Sequence, residues 1–147
     1  MAGKITKKIG EILIEDGLLT PAQLEEALAE QKKQGGLLGQ VLINKKFVDE
    51  DHLTSALSKQ FHIPYLPLRD YSINPDMASV LKAEFCHENL LVGFDGNAKR
   101  ICIAVSDPLN VNAVEQVKAM TQKTPHVFIS KISEIRNALY FLYHEKA

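Results

Sequence analysis

The sequence is poor in the residues that mark several familiar classes of protein. Among its 147 residues there are only two cysteines, Cys86 and Cys102, and there is no tryptophan. A disulfide framework needs more cysteines than this, so we expect two reduced thiols in a cytoplasmic protein. Lysine and arginine number 17 against 18 acidic residues. Because there is no basic excess, we expect the protein neither to bind nucleic acid nor to be attracted to a membrane surface.

Long apolar stretches are missing as well. The start Met1-Ala2-Gly3-Lys4 is followed by no long apolar run, so neither a signal peptide nor direct insertion into a membrane is predicted. Of all residues, 46% are hydrophobic and 24% are charged, which is ordinary for a globular protein. The length suits one compact domain or two small lobes that share an interface.

Patterns that would indicate catalysis are also absent. No Gly-x-x-x-x-Gly-Lys-[Ser/Thr] stretch for phosphate binding occurs. The histidines show no metal-ligand spacing with either cysteine, and the neighbouring side chains of Cys86 and His87 would point in different directions. We therefore expect no enzyme, no catalytic residues, no metal and no cofactor. The histidines are His52, His62, His87, His126 and His144.

The most informative feature is a tandem repeat with an offset of 29 residues. The segment Ile9-Gly10-Glu11-Ile12-Leu13-Ile14 resembles Leu38-Gly39-Gln40-Val41-Leu42-Ile43. The same offset aligns further apolar residues and also a pair of glutamines. Two unrelated amphipathic helices would share apolar spacing but not these glycine and glutamine identities, so we interpret the repeat as real. The further aligned pairs are Leu18-Leu19 with Phe47-Val48, Leu24 with Leu53, Ala27-Leu28 with Ala56-Leu57, and Gln31 with Gln60.

Each copy predicts a short helix followed by a longer one. The short helices are expected at about residues 7–16 and 37–46. Thr20-Pro21-Ala22-Gln23 predicts a capping box at the start of the first long helix, which should end at Gly35-Gly36. Asp49 is the predicted N-cap of the second, which must end before Pro64. Residues 1–63 are thus predicted to form a helical lobe of two similar hairpins.

Two pairs of positions in the repeat leave alternatives open. Gln31 and Gln60 end otherwise apolar stripes, and either they are solvated at helix ends or they turn toward a polar partner, because unpartnered burial of an amide would cost about 1–3 kcal/mol. Gly10 and Gly39 either allow close packing or expose backbone N–H groups to a phosphate.

The second half has a different pattern. A proline-containing linker at 64–72 precedes an α+β lobe at 73–147 with about three strands packed by helices. Pro75 should open a short helix through about Leu81, and Ser130 or Ser133 should cap the last helix. The predicted elements are strands at 89–94, 99–105 and 127–129, a hairpin turn at 95–97, and a helix at 110–120, with Ile132, Ile135, Leu139 and Leu142 on one face of the last helix.

Asp107 is the best acidic candidate for a ligand contact. It follows a strand and precedes Pro108, at a place where ligand sites on α/β sheets often lie. The alternative is that Asp107 only forms an Asx-turn, and its spacing by itself favours that interpretation.

The motif pattern resembles that of the MshEN domain, the N-terminal domain of type II secretion and type IV pilus assembly ATPases (the GspE/PilB group). That family carries two consecutive copies of Arg-Leu-Gly…Leu…Gly…Leu…Leu…Gln. The junction Gln60-Phe-His-Ile-Pro-Tyr-Leu-Pro-Leu, the Ala104-Val-Ser-Asp-Pro turn and the closing helix also fit. The resemblance covers nearly the whole chain.

The resemblance implies that the chain binds cyclic di-GMP, a two-fold symmetric dinucleotide. It implies that the leucines form an apolar surface, that the glutamines and glycines serve polar edges and phosphates, and that Asp107 accepts hydrogen bonds from a guanine edge. The implied ligand-binding residues are Lys8, Ile9, Gly10, Leu24, Leu28 and Gln31 for one half, Leu38, Gly39, Leu53, Leu57 and Gln60 for the other, and Asp107 across from them.

The sequence departs from the family pattern at three positions. The leading arginine is Lys8 in the first copy and Leu37 in the second, and the second-copy glycine is Lys46. Lysine neither stacks on a base nor grips a guanine edge bidentately, so each lost contact is expected to weaken binding by about 1–3 kcal/mol. Lys46 stands where a helix end favours a left-handed residue.

Two other functions compete with nucleotide binding. One is a protein-docking domain without nucleotide binding, with a secretion ATPase domain or an inner-membrane platform protein as partner, which predicts a contiguous exposed apolar patch. The other is an unidentified hydrolase or redox enzyme, and its only support is the presence of scattered Asp and Cys residues.

Overall fold

In a computed structural model, which describes residues 9–144, the chain folds as seven α-helices and one three-stranded sheet. The predicted α+β class is confirmed. The first four helices carry the repeat, and the sheet with the remaining helices forms the second half. The helices are α1 (Ile9–Glu15), α2 (Pro21–Gln34), α3 (Leu38–Asn44), α4 (Glu50–Phe61), α5 (Ala83–Asn89), α6 (Val111–Thr121) and α7 (Ile132–Leu142).

The helix starts predicted in the repeat are present. The Thr20 side chain accepts a hydrogen bond from Gln23 N–H while Gln23 Oε1 accepts one from Thr20 N–H, which completes the capping box of α2. Asp49 caps α4 by accepting from His52 N–H. Gly35 ends α2 with φ of 75°, in the region that only glycine adopts freely.

The turns that end α1 and α3 have the same hydrogen bonds 29 residues apart. Leu18 N–H donates to Leu13 O in the first copy, and Phe47 N–H donates to Leu42 O in the second. The residue inside each turn is left-handed, with φ of 75° at Gly17 and 61° at Lys46. The second copy therefore forms the same left-handed turn, with Lys46 at the position that Gly17 occupies in the first copy.

This turn predicts that Lys46→Gly stabilises the protein. A side chain in the left-handed region costs about 1 kcal/mol, which glycine avoids. Lys45, beside it, is right-handed with φ of −82°. Lys45→Gly should therefore destabilise the protein, because it frees the backbone and also removes the ion pair with Glu26, and it serves as a control of opposite sign. Urea denaturation of both variants tests this, and a loss of stability in Lys46→Gly would contradict it.

The sheet has the order β1 (Leu91–Gly96), β2 (Arg100–Val105), β3 (Thr124–Ile129). β1 and β2 pair antiparallel, whereas β2 and β3 pair parallel and are joined through α6. The register of the first pair shifts between Gly93 and Asp95, where Phe94 bulges. Phe94 is buried and makes edge-to-face contacts with Tyr71 and Phe128.

Several predicted boundaries in the second half are wrong. The hairpin turn lies after Gly96, because Asn97 Oδ1 accepts from the N–H groups of Lys99 and Arg100. Asn89 belongs to α5, a helix the sequence analysis missed. The segment opened by Pro75 is a 3-10 helix, Pro75–Ser79.

The predicted cap of the last helix is also wrong, although its buried face is as predicted. α7 begins after Lys131, and neither serine caps it. Ser130 Oγ donates to Leu66 O, and Ser133 Oγ donates to Glu50. Both hydroxyls bond to the first half of the chain or to the segment that follows it.

That segment, predicted as the 64–72 linker, lies along the free edge of β3. Leu66 N–H donates to Ile129 O, and Ile129 N–H donates to Pro64 O. A short 3-10 helix, Leu68–Asp70, then packs on α7. One hydrophobic core runs through both halves, and the domain boundaries at 63 and 72 stay a prediction.

A buried carboxylate fixes the start of α7. Glu134 is 6% exposed and accepts hydrogen bonds from Tyr65 Oη at 2.8 Å and from Lys131 N–H at 3.2 Å. Asp51 on α4 forms an ion pair with Lys131, with 2.6 Å between Oδ1 and Nζ. These contacts join the helical half to the sheet half.

The contact between Tyr65 and Glu134 predicts a loss of stability at alkaline pH. Burial, then the hydrogen bond and charge of Glu134, raise the pKa of Tyr65 from 10.0 to about 12. The folded state therefore favours the protonated phenol, and its contribution is complete below pH 10 and lost as pH rises toward about 12. Tyr65→Phe should lose about 1–2 kcal/mol at neutral pH and lack this alkaline component.

The control is Tyr140→Phe, since Tyr140 is exposed to almost the same extent (38% against 37%). Denaturation measured from pH 8 to 12 should keep the alkaline loss in this control. An equal alkaline loss in Tyr65→Phe and the native protein would contradict the assignment.

Candidate functional site

The repeated glycines lie against the leucines that follow them by 14 residues. A Cβ atom built on Gly10 would come within 2.6 Å of Leu24 Cδ1, and one built on Gly39 within 3.2 Å of Leu53 Cδ2. Both glycines are buried in short helices, α1 and α3. The structure thus favours close packing as the role of these glycines, and a contact with a phosphate stays a prediction.

The leucine stripes of the two copies are exposed to different extents. Leu28 on α2 is 45% exposed, whereas its equivalent Leu57 on α4 is fully buried. Leu24 is half-buried, whereas Leu53 is 3% exposed. Because α4 packs on α1 and contacts β3, its leucines belong to the core. α2 therefore offers an accessible apolar surface and α4 offers little.

The two glutamines differ as well. Gln31 Nε2 donates to Gly36 O at 2.9 Å and so holds the chain just after α2. Gln60 is exposed, and its side chain bonds to no residue within 9–144. Nothing within residues 9–144 donates to Gln31 Oε1 or bonds to the Gln60 amide, so these groups can form hydrogen bonds to a ligand.

Asp107 forms the Asx-turn that its position before Pro108 indicated. Its Oδ1 accepts from Leu109 N–H at 2.9 Å, between the end of β2 and the start of α6. No residue in the described part of the chain donates to Oδ2. Burial raises the pKa of the carboxyl, and the bond from Leu109 opposes this more weakly. One oxygen is thus structural, and the other can accept from a ligand.

The surroundings of Asp107 contain polar groups that the sequence analysis did not single out. The Ser106 hydroxyl is buried without a partner among residues 9–144. Asn110 caps α6 through its Oδ1 and donates from Nδ2 to Asn89 Oδ1 at 3.1 Å. The Asn110 cap was recognisable at the start of the predicted helix, but the pairing with Asn89 depends on the unpredicted α5.

The structure brings some predicted site residues together and leaves others apart. Gly10 meets Leu24, and Gly39 meets Leu53, each within its own copy. Ile9 is buried, Leu38 is half-buried, and Lys8 lies outside the described residues. Two clefts of about 440 and 390 Å³ are lined by other residues. Within residues 9–144 there is no group of three or more His, Cys, Asp or Glu side chains that could hold a metal ion.

The raised pKa of Asp107 predicts how the stability of the protein changes with pH. Because burial raises the pKa above 3.8, the folded state favours the protonated acid, and stability falls as pH rises from 3.8 through the raised pKa. Asp107→Asn keeps an oxygen for Leu109 N–H and removes the charge. We expect the variant to be more stable than the native protein at pH 7 and to match it below pH 3.8.

Urea denaturation across this pH range is the measurement, with Asp76→Asn as a control on an exposed carboxylate. Lower stability of Asp107→Asn at pH 7 would show that the ionised form is stabilised by the fold.

Comparison with known proteins identifies the family and agrees with the fold. The MshEN domain profile matches residues 61–147, which is more than half of the chain. The chain belongs to the MshEN domain family. No helix in the range 9–144 is long and apolar enough to cross a membrane.

Two curated relatives are type IV pilus assembly ATPases named PilB. The protein from Myxococcus xanthus is 30% identical over 139 residues, covering 95% of this chain and 25% of the relative. The protein from Thermus thermophilus is 30% identical over 117 residues, covering 78% of this chain and 13% of the relative. The chain therefore spans a quarter or less of the length of these relatives.

Two solved structures are similar over almost the whole chain. The structure of MshE with cyclic di-GMP has a TM-score of 0.70 and 26% identity, covering 94% of this chain and 100% of that one. The N-terminal domain of XpsE has a TM-score of 0.72 and 18% identity, covering 92% and 96%. At 18% identity, the likeness to XpsE concerns the fold alone.

Proposed function

We propose that this chain is a cyclic di-GMP-binding regulatory module of a bacterial secretion or pilus-assembly system and carries no catalytic site of its own. The observation that carries the proposal is the similarity to MshE with its nucleotide, which extends over both copies of the motif. The equivalent turns and glycine–leucine contacts in the two copies support it, because they suit a ligand made of two equal halves.

The proposed site residues divide into two groups by exposure. Leu24, Leu28, Gln31, Leu38, Gln60 and Asp107 are half-buried or exposed and would contact the nucleotide. The remaining described ones, Ile9, Gly10, Gly39, Leu53 and Leu57, are buried and would shape the surface from beneath. Lys8 would complete the first half.

Asp107 would provide selectivity for guanine. The Watson–Crick edge of guanine presents N–H donors, and the Oδ2 that the Asx-turn leaves open can accept from them. A carboxylate held by one bond to the backbone and partly shielded from water makes a stronger charge-assisted hydrogen bond than an exposed one. Adenine has an acceptor in place of a donor at that edge and would be rejected.

The two halves of the site would contribute unequally. In the second copy the stripe leucines are committed to the core, and Leu37 replaces the family's arginine. Leu28 provides the largest exposed apolar surface on the first copy. The first half would therefore supply most of the binding free energy.

Calorimetry and thermal unfolding with cyclic di-GMP test the proposal. A ligand at a hundred times its dissociation constant adds about 2.7 kcal/mol to the free energy of unfolding. Asp107→Asn replaces the open acceptor with a donor and should weaken binding roughly tenfold to a hundredfold. Gln31→Ala should weaken it less.

Matched controls are Asp76→Asn and Gln116→Ala, both at exposed positions outside the motif. Neither should change the affinity. Absence of heat and of any thermal shift at millimolar cyclic di-GMP in the native protein would overturn the proposal, as would an equal response to cyclic di-AMP.

A docking function, with a secretion ATPase domain or an inner-membrane platform protein as partner, is the second candidate. The observation that favours it is an exposed aromatic patch at the end of α7, where Phe141 is 71% exposed and stacks edge-to-face with Tyr140 at 5.4 Å.

A further inference from the structure

An open groove of about 440 Å³ lies along one face of α7. Its first wall consists of Ala138, Phe141 and Leu142, which are spaced three and four residues apart and so share that face. Its second wall is the segment 68–75, with Leu68, Tyr71 and Ile73 turned toward the helix residues. None of the residues proposed to bind cyclic di-GMP lines this groove.

The groove combines a buried apolar floor with an exposed aromatic rim. Leu68 is 2% exposed and Leu142 is 7% exposed, so the floor belongs to the hydrophobic core. On the rim, the 71% exposure of Phe141 is the highest among the large hydrophobic residues within 9–144. An apolar cleft continued by an exposed aromatic ring is typical of an interaction site.

The charges at the groove favour an acidic ligand. Among residues 9–144, Glu134 is the only acidic residue that lines the groove, and its carboxylate already accepts hydrogen bonds from Tyr65 and from backbone N–H groups. Arg69 also lines the groove, is exposed and forms no ion pair within the described part of the chain. Asp70 belongs to the second wall segment and Asp76 directly follows it, but neither carboxylate lines the groove. Within residues 9–144, Arg69 is therefore a cation open to a ligand, and its guanidinium can bind a carboxylate bidentately.

We propose that this groove docks an apolar, acidic segment of a partner protein. A polypeptide fits better than a small molecule because the lining residues of α7 extend from 134 to 142, about 12 Å along the helix axis. A small ligand in the cleft would leave the outward ring of Phe141 in water, whereas a chain that crosses the rim covers it. This surface is independent of the proposed nucleotide site.

The first experiment uses 1-anilinonaphthalene-8-sulfonate, a fluorescent probe with an apolar body and a negative charge. The native protein should bind it saturably, with a rise in fluorescence. Phe141→Ser and Arg69→Gln should each weaken binding about tenfold, and Arg69→Gln leaves the backbone N–H toward Glu134 in place. Both residues are exposed, so neither substitution should unfold the chain.

The controls are Val111→Ser, at an apolar residue that is 57% exposed, and Lys118→Gln, at an exposed cation on α6. Both should keep the native affinity. Absence of saturable binding, or an equal loss in the controls, would overturn the proposal.

The second experiment tests whether the groove binds a peptide and whether it prefers an acidic one. It uses two short peptides that are blocked at both ends. They share their leucine and phenylalanine positions and differ only in carrying glutamate or lysine elsewhere. The glutamate peptide should displace the probe from the native protein, less well at high salt, and at least tenfold more weakly from Arg69→Gln. The lysine peptide should not displace it.

Displacement by both peptides or by neither would overturn the docking proposal, and binding of the probe alone would mean that the groove accepts only small anions. Cyclic di-GMP should not displace the probe. The docking proposal and the nucleotide-binding proposal can therefore be contradicted independently of each other.

Discussion

The structure depends on a buried carboxylate, Glu134, that has to be hydrogen-bonded. A charge this deep in the protein is tolerated only when donors surround it, and they come from different parts of the chain, Tyr65 before the sheet and the backbone at the start of α7. Glu50 and Asp51 on α4 bond the same end of α7 through Ser133 and Lys131. The end of the repeat and the last helix are therefore held in one arrangement.

The repeat keeps its local geometry while its two copies have diverged in packing. Lys46 retains a left-handed backbone although the glycine is gone, because the turn bonds of α3 require it. The leucines of α4, in contrast, have entered the core, since α4 lies between α1 and β3. The leucines of α4 thus contribute to the core, whereas Leu28 on α2 stays exposed. Asp107 and the exposed ring of Phe141 lie outside the repeat and belong to the two binding surfaces that we propose.

Local signals in the sequence predicted local structure well. The Thr20 capping box, the Asp49 cap and the buried face of α7 were predictable because each depends on residues within one or two helical turns. The caps proposed at Ser130 and Ser133 failed because their partners, Leu66 and Glu50, are more than sixty residues away. For the candidate site, the sequence predicted the Asx-turn of Asp107, which the structure contains, whereas the binding roles of the motif residues stay a prediction. The sequence could not predict that Leu28 is exposed and Leu57 buried, because only tertiary packing distinguishes two identical side chains on equivalent helices.

The segment 64–72, which follows α4, bonds to the free edge of β3, and this contact also constrains the order of folding. Tyr65 and Glu134 are 69 residues apart along the chain, so at ribosomal rates of about 5–20 residues per second the tyrosine is made roughly 3 to 14 s before its partner. Helices with local contacts form far faster than that. During synthesis the four-helix half can therefore collapse first, with the surface that α7 and β3 later cover still exposed. That surface becomes covered only after α7 has been synthesised, so the final packing of the core cannot precede translation of Leu142.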